Sequence, residues 1–249
     1  MKRLLLALLS AALLVALGAV DARDRRVPIA AAVGGGGTVT FESAAEIIDS
    51  DQNNSVTITV PASLAAGNIW LITLTCDMDP GGSISTTLTG FTAIGTNIVG
   101  ADNTYPVTQM WYKVAGGSES NATITPTGVD YDCVGYSVRI SGTGTLSLDA
   151  TGTPAAPAGS ATTIDAPDIT IAQNNSLAVL YAAVVGQPTM ATFTAPSGST
   201  LRDSRFGNNV YPSMGIATQA VSAGSFAPST WGFSSTDNRT AQTVSFKSS

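Results

Sequence analysis

Two pairs of aspartates offer the most definite chemistry in this chain. Asp77 and Asp79 flank Met78 just before the turn Pro80-Gly81-Gly82, and Asp130 and Asp132 flank Tyr131 just before Cys133. Carboxylates gathered in this way suit Ca²⁺, which takes about six to eight oxygen ligands. Two carboxylates held roughly 5–10 Å apart also suit hydrolysis of a glycosidic bond. The plainer reading is solvated acids in turns. The run Asp49-Ser50-Asp51-Gln52-Asn53 begins like a calcium loop but lacks the glycine and terminal glutamate of an EF-hand, so it reads as a turn.

The chain contains no histidine. That removes the commonest general base, the Ser-His-Asp and Cys-His nucleophile systems, and the usual zinc and non-haem iron sites. The expectation is therefore a non-enzyme, with a secreted carbohydrate-active enzyme using Asp77, Asp79, Asp130 or Asp132 as the rival. The only cysteines are Cys76 and Cys133. An even count in an exported chain favours a disulfide over two buried thiols. Cys76 ends one apolar run and Cys133 opens another, so antiparallel neighbours would bring them together and gather all four acids at one edge.

Aromatic residues make up only 6% of the chain. Trp111 shares a strand face with Val107, Gln109 and Lys113, opposite Met110 and Tyr112. If Met110 and Tyr112 are core, Trp111 is partly exposed and becomes a platform for a glycan or another partner. Tyr131 and Trp231 are further ligand-contact candidates, with core packing as the alternative for each. Trp70 reads as core. Asn121-Ala122-Thr123 and Asn238-Arg239-Thr240 match glycosylation acceptors, a pattern that a Ser/Thr/Asn-rich chain produces by chance.

These residues need strands to position them. Residues 56–60 (VTITV) alternate with period two, residues 68–76 (NIWLITLTC) form a longer apolar strand, and 91–99 follow a Gly turn. Residues 107–115 alternate, with Met110, Tyr112 and Val114 on one face; 122–125 are short. Residues 134–140 place Val134, Tyr136, Val138 and Ile140 on one face. Such alternation marks half-buried antiparallel strands. Turn signals recur between them, as in Gly116-Gly117 and Ser141-Gly142-Thr143-Gly144. The expected fold is all-β, an antiparallel sandwich of jelly-roll or Ig-like type with about twelve strands.

Residues 151–160 (TGTPAAPAGS) make the best internal boundary, and the residues beyond resemble those before. Residues 60–76 match 166–183 in layout, and 110–120 match 216–226. The expectation is two pseudo-repeats of about six strands, 38–150 and 151–249, or one sandwich spanning 38–249.

The first residues read as an export signal. Met1-Lys2-Arg3 is positive, residues 4–20 carry no charge, and Val20-Asp21-Ala22 offers small residues for signal peptidase. The signal peptide is placed at 1–22, with an uncleaved membrane anchor as the alternative, and a flexible Gly-rich linker at 23–37. No second segment is long and apolar enough to span a membrane as a helix.

Charged residues are only 11% of the chain, against about 25% in an average domain. Five of the eleven basic residues lie at or before Arg26, leaving six basic against fifteen acidic residues beyond it. No basic patch could track a phosphate backbone, which argues against nucleic-acid binding.

Pro61, Gly67-Asn68, Gly90-Phe91-Thr92, Trp111-Tyr112-Lys113-Val114-Ala115, Ser118-Glu119 and Ser141-Gly142 form a recurring layout. It resembles a loosely defined group of β-sandwich modules in phage tail or virion-associated proteins and bacterial surface proteins. The second half fits more weakly, so about two-thirds of the chain is covered. The resemblance implies a structural or adhesive module with no catalytic residues to carry over. The expected protein is secreted or on the cell surface and serves adhesion, glycan contact or particle assembly. A virion component such as a tail-fibre or decoration module is the alternative. The expected partner is a glycan or a surface or particle component, with a homo-oligomer allowed, and the expected cofactor is none or Ca²⁺.

Overall fold

The computed structural model describes residues 37–49, 55–78, 81–100, 106–127, 132–159, 161–185, 191–206 and 212–249. The proposed signal peptide, most of the linker, Asp79, Asp130, Tyr131 and the 50–53 part of the calcium-like run lie outside them. The described chain is all β, with eighteen strands where the sequence suggested about twelve. Among the described residues no helix is long and apolar enough to cross a membrane.

In chain order the first half supplies β1 (Val39–Asp49), β2 (Val56–Ile58), β3 (Ile69–Cys76), β4 (Ser83–Ile84), β5 (Thr92–Val99), β6 (Val107–Val114), β7 (Ala122–Ile124), β8 (Pro126–Thr127) and β9 (Cys133–Gly142). The second supplies β10 (Leu146–Thr151), β11 (Ala161–Asp165), β12 (Ile169–Ile171), β13 (Ser176–Val185), β14 (Phe193–Thr194), β15 (Thr200–Phe206), β16 (Ser213–Val221), β17 (Gly224–Phe226) and β18 (Thr230–Ser248).

Each half builds its own antiparallel sheet. The first has the order β1-β9-β3-β6-β5 and the second contains β10-β18-β13-β16-β15, with β11 and β14 also pairing with β18. The two orders match position for position. Ile69 pairs with Ile140 and Val114 in the first sheet, as Leu177 pairs with Phe246 and Ala220 in the second. The small hairpins match too, β2 with β7 and β12 with β17.

One core cluster draws on both sheets, which is consistent with a β-sandwich. It joins Ile69, Leu71, Met110, Tyr136, Val138 and Ile140 to Leu177, Val179, Tyr181, Ile216, Val244 and Phe246. Each sheet also buries its other face. Trp70, Ile72, Leu74 and Trp111 pack beneath Val56, Ile58, Ile84 and Ile124 of the short strands. Ala178, Leu180, Ala182 and Ala217 pack beneath Ile164, Ile171, Phe193 and Trp231. This double coverage explains why every residue of β3 and β13 is buried, Thr73, Thr75 and Ser176 included. It also corrects the expectation of half-buried strands. In β6 the residues Val107 to Trp111 are all buried, while Val114, on the same face as Met110, is 48% exposed at the strand's end.

Polar side chains cross between the sheets near the strand ends that carry the cysteines. The Thr108 hydroxyl lies 2.8 Å from that of Thr75 and 3.0 Å from that of Thr240, and the Tyr136 hydroxyl donates to the Met214 carbonyl at 3.3 Å. Arg205 pairs with Glu46 at 2.7 Å, tying β15 to β1, and Arg202 stands 5.0 Å over the Phe41 ring. Burial pushes the Tyr136 and Tyr181 phenols far above their ordinary value, so both are neutral.

Candidate functional site

The expected disulfide is present. Cys76 and Cys133 are register partners on adjacent strands β3 and β9, and both are buried. The next residues stay together, with the Asp77 amide donating to the Asp132 carbonyl at 3.0 Å. The backbones of Asp77 and Asp132 are therefore adjacent beside the disulfide, and Asp79 and Asp130 lie outside the described residues. Among the described residues no group of three or more His, Cys, Asp or Glu side chains is arranged to hold a metal.

The aromatic candidates are placed differently from expectation. Trp111 is 0% exposed, and its indole N–H donates to the Thr86 carbonyl at 3.0 Å. The inference of exposure assumed that only one face of β6 was covered, whereas the β2, β4 and β7 layer covers the other. Trp231 is also 0% exposed and meets Phe193 edge-on at 6.1 Å. Neither indole is a surface platform. Tyr131 lies outside the described residues.

The motif residues converge on one point of the outer face of the first sheet. Phe91, just before β5, meets Trp70 edge-on at 5.0 Å. Lys113 extends from β6 over both rings, its ammonium 4.7 Å from the centre of Phe91 and 5.0 Å from that of Trp70. That ammonium pairs with the Glu119 carboxylate, whose other oxygen accepts the Gly116 N–H at 2.7 Å. These contacts from Lys113 and Gly116 hold the Glu119 carboxyl below its ordinary value of 4.5. The turn that returns Glu119 to Lys113 needs Gly117, whose φ is +92° and where a Cβ would stand 3.2 Å from Ala66. Gly67 and Asn68 complete the arrangement. Gly67 N–H donates to the Ala115 carbonyl at 2.9 Å, and Ala115 N–H to the Asn68 carbonyl at 2.8 Å.

Beside this cluster lies a half-open cleft of about 330 Å³, lined by Thr87, Thr89, Phe91, Lys113, Asn121 and Thr123 among others. Its wall is preset by local hydrogen bonds. The Thr87 N–H donates to the Ser85 hydroxyl at 3.2 Å, and the Phe91 N–H donates to the Leu88 carbonyl at 3.0 Å. Asn121, one of the glycosylation matches, is exposed, and its side-chain oxygen accepts the Val60 N–H at 3.1 Å. Sequence reasoning placed Phe91 and Lys113 in a motif but assigned no site to the cleft. Two wider depressions, of about 480 and 450 Å³, share Thr153 and Asp168 on the second half.

Comparison with protein-family models, curated proteins and solved structures finds no match to this chain.

Proposed function

We propose that this chain is an exported, non-catalytic β-protein that works as a surface or particle-structural module, serving attachment, glycan contact or assembly. One observation carries the reading. The side chains most capable of chemistry near the motif are already engaged: Lys113 with Glu119, Phe91 and Trp70, and Trp111 with the Thr86 backbone carbonyl. They lock a loop and an outer layer onto the sheet, which is what a rigid, exposed module requires. The basic start followed by the uncharged stretch 4–20 supports export, and a buried disulfide suits an oxidising compartment. The motif layout over residues 61–142 favours a phage virion component as the second reading.

Assay of the purified chain on a panel of polysaccharides separates these readings from a glycosidase. The module reading expects no release of reducing ends. Turnover that disappears in Asp77→Asn or Asp132→Asn would overturn it.

A further inference from the structure

We infer that the cleft beside Phe91 binds one unit of a neutral saccharide, an inference that rests on the surface-module reading. Its chemistry is set by three features. First, the charged side chain known to line it, Lys113, is neutralised by Glu119 and held over two aromatic rings. An anionic ligand would find no unengaged cation at Lys113. Second, the partly buried Phe91 ring adds apolar surface to the lining, its orientation fixed by a T-shaped contact with Trp70 and by Lys113 over one of its two faces. An aromatic surface of this kind suits the C–H face of a pyranose. Third, the remaining polar lining is neutral: Thr87, Thr89, Ser120, Thr123 and the amide of Asn121. The Asn121 oxygen accepts from Val60, which fixes the amide so that its NH₂ group can donate to a ligand.

Size and stiffness agree with this chemistry. About 330 Å³ is at the small end of ligand pockets, enough for about one or two sugar rings. The Ser85–Thr87 and Leu88–Phe91 hydrogen bonds hold the wall in place before a ligand arrives, which lowers the ordering cost of binding. An open site with few polar anchors implies weak binding, with Kd on the order of 1 mM.

The test is an amide chemical-shift titration of the oxidised chain beginning after Ala22. The probes are maltotriose, chitotriose and xylotriose, with trigalacturonic acid as the charged comparison. The expected result is saturable shifts at residues 85–91 and 120–123 with at least one neutral trimer. Phe91→Leu should weaken that binding about tenfold, a loss of about 1.4 kcal/mol. Thr89→Val, at an exposed position, should weaken it several-fold with the spectrum otherwise unchanged, and decides the matter if Phe91→Leu does not fold. No saturable shift with any neutral trimer up to about 20 mM, a level well above the expected Kd, overturns the site. So do shifts confined to other residues, or a response to the charged trimer alone. A protein found at the surface that gives one of these results loses the saccharide site and keeps the module role. Turnover of a polysaccharide, or retention in the cytoplasm, removes the module role itself.

Discussion

Replacing Cys76 and Cys133 together by alanine tests how the first sheet is held. The bridge joins residues 57 apart in sequence. Closing a loop of that length restricts the unfolded chain by an amount worth about 4 kcal/mol near room temperature. Both sulfurs also sit in the buried cluster around Trp70 and Trp111, and removing them adds roughly 1 kcal/mol of lost packing. The β3–β9 ladder does not depend on the bridge, since it pairs every residue from Ile69 to Cys76. The variant should therefore fold with an unchanged far-ultraviolet spectrum and unfold at lower denaturant. With a guanidinium slope of about 4 kcal/mol per molar, the midpoint falls by about 1 M. Tryptophan fluorescence is a suitable probe, because Trp70, Trp111 and Trp231 are all fully buried. Wild-type protein reduced with dithiothreitol should lose the entropic part alone. A loss below about 1 kcal/mol in both samples would refute the reasoning, as the chain-entropy model leaves no room for so small a value at this loop length.

Three further outcomes follow from the same contacts. Thr240→Val should cost about 1 kcal/mol and Thr108→Val, which breaks two hydroxyl contacts, about 2 kcal/mol. Their double-mutant cycle should show a coupling of about 0.5–1.5 kcal/mol, and additivity would mean the hydroxyls do not meet across the sheets. Trp111→Ala should destabilise by about 3–5 kcal/mol in chemical denaturation while Trp111→Phe loses about 1–2 kcal/mol; a neutral Trp111→Ala would contradict its burial. Glu119 has a folded value below its ordinary 4.5, so its contribution is present above that pH and is lost as pH falls through the lower folded value. Solvent screening keeps it under about 1 kcal/mol. Thermal melts from pH 6 to about pH 3 should fall more steeply for wild type than for Glu119→Gln, and parallel curves would count against the ion pair.

The all-β class and the long strands were legible because their patterns are long enough to have a period. The alternation in β9 marked a strand, the short β-branched and aromatic run of β3 bounded by turns marked another, and the ends of those runs also located the disulfide. The outer layers were legible only in part: 56–60 and 122–125 read as strands, but their spacing did not show that they pair with each other and cover the first sheet. Strands such as Ser83–Ile84 and Phe193–Thr194 are too short to show a period, yet they cover a face of each sheet. Missing them is what turned Trp111 from a buried residue into an apparent platform. The two halves even fill this layer differently. Trp111 projects from the first sheet where the matching residue of the second is Ala217, and there Trp231 fills the space from the covering layer. The halves thus share strand order while filling the layer from different strands. β18 shows no continuous pattern in the sequence, because the polar stretch Ser234 to Arg239 interrupts a 19-residue strand. At the site, Phe91, Lys113 and Glu119 were visible as motif residues. Their meeting with Trp70 depends on how β3, β5 and β6 lie side by side, which spacing along the chain does not encode.

The central claim, an exported and oxidised β-module, is tested most directly by the intact mass of the protein recovered from each compartment of cells expressing the full chain. The expected product is found in the medium, the envelope or purified particles. Its mass corresponds to a chain beginning after Ala22, less the two hydrogens lost in joining Cys76 to Cys133. An unprocessed cytoplasmic product with both thiols free to alkylation would contradict it.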